Sequence, residues 1–273
     1  MSHDTGFFRP LEARGRRLGD GRVPAVCVPL VADGEADLLA ELAAVLPSGP
    51  DVIEWRVDHY LAARPPAAAD PSATQAAVLG LLSRLRGIAG DVPLIFTLRS
   101  AAEGGRQTGF DAQGAGNLLA AVADTGIADY IDLELAAPSG VRARVFAAAR
   151  RSGARVIVSA HDFTATPSAD EIFDTLAAAA AAGADVAKIA VMPQSVDDVL
   201  ALLSATTRAH RELDLPLITM AMGPLGVATR VFGGLFGSAL SFAAGRQASA
   251  PGQLPVAELQ AALELVRSRS LPR

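Results

Sequence analysis

The sequence predicts one α/β domain, a closed (β/α)8 barrel of the TIM type over residues 23–273, preceded by a short N-terminal extension over residues 1–22. Three observations carry that prediction. Runs of branched, strand-forming residues alternate with alanine-rich helical stretches, an order that calls for parallel strands joined by right-handed crossovers. The chain has 273 residues, and eight β-α units occupy roughly 250 as a single closed barrel. No GxGxxG follows the first strand, as it would in a doubly wound dinucleotide-binding sheet.

The strands read, in order, as 24–30, 51–58, 93–98, 130–135, 154–159, 185–191 and 215–220, with a weaker eighth at 237–242 behind a glycine-rich turn. Each is a short apolar run bounded by turn residues or alanine-rich stretches. Helices read as 35–45, 73–85, 118–125, 142–151, 169–182, 196–211 and 256–267, from apolar residues recurring at three and four positions. Residues 64–71 form a loop of one unit, and no longer linker divides the chain. Residues 1–22 lack the pattern, so they are expected either to be disordered or to lie across the barrel bottom.

Composition narrows the class further. Hydrophobic residues make up 51% of the chain but aromatics only 5%, and the alanine excess favours helices over an aromatic-rich sandwich. The net charge is -5, with no sign-segregated tail, and Arg14, Arg16 and Arg17 are too few for a nucleic-acid arm. No apolar stretch approaches the roughly 20 residues of a membrane span, so a cytoplasmic protein without nucleic-acid or membrane partners is expected. Cys27, the single cysteine, lies in an apolar run and reads as a buried, inert thiol. His3, His59 and His210 have no clustered partners and no HxH or HExxH spacing exists, so no metal and no other cofactor is implied.

One asymmetry points to chemistry. Of 24 basic Lys and Arg residues, 23 are arginine and the remaining one is Lys188. Either cation serves on a solvated surface, but arginine does not lose its proton and cannot act as an amine nucleophile. Lys188 falls in the middle of the sixth strand, away from a surface position. Alternation also places Glu54, Arg56 and Asp58 on one face of the second strand, and Asp132 and Glu134 on one face of the fourth. The outer face packs on helices, so these charges are expected inside the barrel, where they must be paired.

Active sites of this fold gather at the C-terminal strand ends and the loops after them. Those positions hold Arg99 and Glu103 after the third strand, His161 after the fifth, Lys188 on the sixth, and Met220, Met222 and Arg230 on and after the seventh. A neutral lysine attacks a ketone to give an iminium that stabilises negative charge on the adjacent carbon. A neighbouring imidazole, with its ordinary pKa of about 6.5, removes the proton there. The alternative for Lys188 is a permanent cation pairing Glu54 or Glu134.

Six ordered segments resemble the type I 3-dehydroquinate dehydratase family: 54–60, 99–105, 131–135, 161–163, 188–195 and 249–253. The resemblance runs from about Val23 to Leu259. It implies a Schiff base on Lys188, His161 as general acid/base and Glu103 as the carboxylate partnering that histidine. It further implies that Arg230 pairs the substrate carboxylate, that Glu54 and Arg56 bind its hydroxyls, and that Ser249, Ala250 and Gln253 belong to a closing loop. Arg99, Met220 and Met222 complete the expected substrate contacts, and the family's common dimer implies a homodimer. Pro29, Ala160, Arg106 and Pro224 depart from the family pattern and bear on affinity or substrate preference rather than on the imine chemistry.

Two other functions fit the same barrel. A class I aldolase shares the lysine but needs a phosphate site, which Gly233-Gly234 and Gly237-Ser238 would have to supply. A catalytically silent sensor of quinate-like acids would need neither Lys188 nor His161.

Overall fold

The computed structural model describes residues 7–19, 21–64 and 70–269. His3 and most of the loop read at 64–71 lie outside the described residues. The chain opens with a hairpin, β1 (Leu11–Ala13) and β2 (Arg16–Leu18). Eight parallel strands follow: β3 (Ala25–Leu30), β4 (Val52–Arg56), β5 (Leu94–Thr97), β6 (Tyr130–Glu134), β7 (Arg155–His161), β8 (Val186–Val191), β9 (Leu217–Ala221) and β10 (Leu240–Phe242). Their spatial order is β10-β3-β4-β5-β6-β7-β8-β9. A bridge from Leu217 to Ser238 and a hydrogen bond from Ala239 N to Leu217 O at 2.7 Å bring β9 against β10 and close the ring.

The helices are α1 (Glu35–Val45), α2 (Val57–Ala62), α3 (Pro71–Ala89), α4 (Ala112–Thr125), α5 (Ser139–Ser152), α6 (Ala169–Ala181), α7 (Val196–Glu212), α8 (Val227–Phe232) and α9 (Val256–Arg269). Local sequence starts several of them. Asp70 and Asp111 accept from the backbone N–H of the third residue of α3 and α4, Ala73 and Gly114. Ser168 and Ser195 open α6 and α7 with reciprocal capping boxes, which satisfy donors that the first helical turn leaves free.

Strand alternation divides the apolar interior in two. Outward residues such as Ile53, Trp55, Phe96, Ile131, Val158 and Ile189 join the helices in one large cluster. Inward residues form a second cluster inside the barrel, with Cys27, Val52, Ile95, Tyr130, Ile157, Val186 and Ile218 at its lower level. One step along the same strands the inward positions become Glu54, Thr97, Asp132, Ser159, Lys188 and Met220, all buried. The barrel thus changes from apolar to charged along its axis.

The hairpin belongs to that lower end. Phe8, Leu11, Ala13 and Leu18 pack into the inner cluster, and the Tyr130 hydroxyl donates to Glu12 O at 2.5 Å. Within the N-terminal stretch, residues 7–19 therefore close the bottom of the barrel. Arg14 (φ 52°) and Gly15 (φ 72°) make a turn with two left-handed residues, the geometry whose twist suits a two-residue hairpin.

Two expectations need correcting. The second strand ends at Arg56 and the chain turns at once into α2, so Asp58 is not on the inward strand face. It is fully buried in α2, where Arg56 Nε and Nη2 donate to its two oxygens at 2.8 Å each. The glycines read as a possible phosphate site also lie elsewhere. A Cβ on Gly234 would meet Pro24 at 2.7 Å, and one on Gly237 would meet His210 at 2.7 Å, so both are filled contacts near the lower end.

Candidate active site

Lys188 projects from the middle of β8 with 5% of its side chain exposed. Its Nζ donates to Asp132 Oδ2 at 2.8 Å, lies 3.9 Å from Glu54 Oε1 and stands 4.8 Å over the Phe242 ring centre. The permanent-cation reading named Glu54 or Glu134 as its partner, but the near carboxylate is Asp132. Burial raises the pKa of Asp132, yet Arg99 and Lys188 outweigh it and hold the group well below the usual carboxylate range.

Arg99 is the node of the charged layer. Its Nη1 donates to Glu134 Oε1 and Ser159 Oγ at 3.0 Å each, and its Nη2 to Asp132 Oδ1 at 2.7 Å. Glu103 Oε2 lies 3.5 Å from Nη1. Burial lowers the guanidinium's pKa, but Asp132, Glu134, Glu103 and Glu54 raise it further, keeping it charged. The expectation was a substrate contact; the structure engages Arg99 with the protein's own carboxylates while leaving it on the cavity wall.

His161 ends β7, and its Nδ1 is 2.8 Å from Glu103 Oε2, so Nε2 is the nitrogen available to a molecule in the cavity. Burial and the nearby Glu134 push Glu103 up to about 8. Burial, Arg99 and Lys188 hold His161 well below its ordinary value. The two therefore share protons as one unit. With its proton present, Glu103 donates to Nδ1 and Nε2 carries hydrogen. With it lost, Nδ1 donates to the carboxylate and Nε2 becomes a base.

These groups line one cavity at the C-terminal mouth together with Glu54, Arg56, Met220, Met222, Ser249, Ala250 and Gln253. Ser249 N donates to Gln253 Oε1 at 2.8 Å and Gln253 Nε2 donates to Ser249 Oγ at 2.9 Å, which ties together the two ends of this cavity-lining loop. Gly252 (φ 77°) sits against Gly223, where a Cβ would collide with the backbone. Arg230 is the expected site residue that does not line the cavity. It is 1% exposed, and donates to Pro251 O at 3.0 Å and Phe242 O at 3.4 Å. Its Nε has no partner, and burial lowers its pKa to about 10. No carboxylate pairs it among the described residues.

Several lining or supporting residues were not singled out as site residues from sequence. Asp132 was expected to point inward but not to hold Lys188. Phe163, Ala190 and Phe242 also line the cavity, and Ser159 donates to Asp132 Oδ1 at 2.6 Å. Strand alternation alone carried the signal for Asp132 and Ser159. Of the other histidines, His59 lies 3.9 Å from Asp58, and His210 O accepts from Arg9 at 2.7 Å. Cys27 is buried, and burial pushes its thiol up. Among the described residues no group of three metal-ligating side chains occurs, and no helix is long and apolar enough to cross a membrane. A wider groove of about 510 Å³ lies beneath the hairpin, lined partly by Arg14, Arg16, Arg17 and Arg155. It contains neither the lysine nor the histidine.

Fold and site define a class: a (β/α)8-barrel enzyme with a buried lysine-carboxylate pair and a histidine-glutamate couple at one mouth. Residues 26–270 match the type I 3-dehydroquinase family. The chain is 41% identical over 259 residues to the 3-dehydroquinate dehydratase of Albidiferax ferrireducens, covering 95% of each chain. It is 41% identical over 263 residues to that of Aromatoleum aromaticum, covering 96% of this chain and 97% of the relative. The solved 3-dehydroquinate dehydratase of Geobacillus kaustophilus superposes with a TM-score of 0.88 at 38% identity, covering 98% of this chain and all of that one. The type I enzyme of Clostridium difficile, described with covalently modified comenic acid, gives 0.87 at 36% identity, covering 97% of this chain and all of that one. The chain belongs to the type I 3-dehydroquinase family.

Proposed function

We propose that this chain dehydrates 3-dehydroquinate to 3-dehydroshikimate through an imine on Lys188, with His161 as general acid/base and no cofactor. The observation that carries the reading is the convergence of a buried amine and a carboxylate-linked imidazole on one cavity. The Lys188 amine adds to the substrate ketone and the carbonyl oxygen leaves as water, giving an iminium. His161 Nε2 then takes a proton from the adjacent carbon, and the electron pair moves to the nitrogen as an enamine. The pair returns, the β-hydroxyl departs with the proton from His161 as water, and hydrolysis of the iminium frees the product and Lys188. Overall, one water is lost from the substrate.

Glu103 orients the imidazole and sets its proton supply. Glu54 and Arg56 serve the hydroxyls. The Ser249–Gln253 loop keeps bulk water from the imine. The substrate carboxylate falls to Arg230, whose guanidinium has no acidic partner among the described residues; because Arg230 does not line the cavity, that pairing requires the loop it touches at Pro251 to shift when substrate binds. An aldolase would need a phosphate site, and the glycines that would have to form it are packed against Pro24 and His210, which favours the dehydratase reading.

Borohydride added with 3-dehydroquinate should fix the reduced adduct at Lys188, read by peptide mass. An unmodified Lys188 would rule out the imine. A silent sensor would bind the ligand without the rise in ultraviolet absorbance from the conjugated product. A homodimer in the cytoplasm belongs to the same reading. Val196 and Leu200, 63% and 56% exposed one turn apart on α7, offer an apolar surface for pairing, and light scattering would report the mass.

A further inference from the structure

We propose that Asp132 is the counter-ion of the iminium on Lys188, holding that nitrogen protonated while the adjacent carbon gives up its proton; this rests on the imine reading above. The two carboxylate oxygens have different duties. Oδ1 is taken by Arg99 Nη2 at 2.7 Å and Ser159 Oγ at 2.6 Å. Oδ2 receives Lys188 Nζ at 2.8 Å. The carboxylate is therefore fixed through one oxygen and offers the other to a single nitrogen. Register supports the same arrangement: Asp132 pairs with Ile157 across β6 and β7, and Ser159 pairs with Lys188 across β7 and β8.

The chemistry needs such a group. When the amine and ketone condense with one proton and release water, the nitrogen keeps one N–H and gains a positive charge. That charge draws the electron pair of the broken C–H bond, and a neutral imine draws it poorly. The charge vanishes in the enamine and returns when the hydroxyl leaves, so the counter-ion must stay anionic and in place throughout. A fixed, buried charge stabilises such a changing one most effectively, because nothing has to reorganise.

The other groups facing Nζ do not fill this role. Glu54 on β4 is 3.9 Å away, and its near oxygen already accepts from Thr97 Oγ1 at 2.7 Å. Phe242 on β10 presents a ring face without a proton acceptor. Glu103 is joined to His161, Arg99 is a cation, and the Cys27 thiol on β3 is held neutral by burial.

The test is cyanoborohydride trapping with 3-dehydroquinate of the native protein, Asp132→Asn and Ser159→Ala, between about pH 5 and about pH 9 on either side of the imidazole range. Intact mass reads the adduct, and circular dichroism confirms folding. In Asp132→Asn the adduct should disappear at a pH lower by at least about one unit, and kcat should fall about 100-fold. Ser159→Ala loosens Oδ1 without altering charge and should shift the limit in the same sense by less. Coinciding profiles in the folded proteins overturn the counter-ion. If Asp132→Asn does not fold, Ser159→Ala decides alone: a shift supports the proposal and coincidence with the native profile refutes it. No adduct on the native protein at any pH removes the imine reading itself, a different result from an adduct whose pH limit ignores Asp132.

Discussion

The two ends of this barrel use the same strands and opposite chemistry. At the lower end, Val52, Ile95, Tyr130, Ile157, Val186 and Ile218 meet Leu11 and Leu18 of the hairpin in an apolar plug. At the upper end, the next inward positions bring Glu54, Asp132 and Lys188 into a buried ionic layer. The lower end gains stability by removing apolar surface from water. The upper layer costs desolvation and returns specificity of charge. Stability and reactivity are thus assigned to different levels of one structure, and substitutions should separate them.

Lys188→Arg should have the largest effect. It keeps a cation for Asp132 but removes the amine nucleophile, so kcat should fall by more than about 10,000-fold, the scale seen when a nucleophile is lost. Thermal unfolding should move little, and substantial remaining activity would break the comparison. Leu11→Ala, at the other end, should cost about 2–5 kcal/mol of stability in denaturant unfolding, with kcat of the folded protein unchanged.

Glu103→Gln sharpens the upper half. In the native protein, loss of the shared proton near about 8 exposes the basic nitrogen, so the rate should rise with pH up to that region. Without the carboxyl, the imidazole titrates alone at a low value, so the acid limb should move to lower pH. A kcat about 100-fold smaller should accompany it. A limb left in place would show that another group controls it. The smallest effect is expected from Tyr130→Phe, which removes one bond to Glu12 O and should cost about 1 kcal/mol with no change in kcat.

Most of the barrel was legible because each strand has to present one face to helices and one to the interior. The hairpin was not. Its strands are three residues each, and its turn begins with Arg14 rather than the asparagine or aspartate that usually marks a left-handed first position. The short helices α2 and α8 were missed for a similar reason, since six residues give little periodicity, and missing α2 misplaced Asp58. Within the site, alternation identified the inward carboxylates but not their heights. Glu54, Asp132 and Glu134 all face inward, and only the stagger between strands brings Asp132 level with Lys188. Arg230 exposes a second limit: sequence order places it after β9 without saying that its guanidinium is bound to Pro251 O and Phe242 O rather than lining the cavity.

Arg99 carries a consequence for descent. One guanidinium joins carboxylates from β6, the β5 loop and, through Ser159, β7. Replacing it alone would strand Asp132 and Glu134 near each other without their shared cation, and replacing either carboxylate alone would leave the cation underserved. Mutational steps at this node are therefore epistatic: a lineage drifting toward another reaction must alter two or more of these positions together, whereas Ser249, Ala250 and Gln253 of the cavity-lining loop lie outside the node. Such a ratchet would hold the inner layer constant.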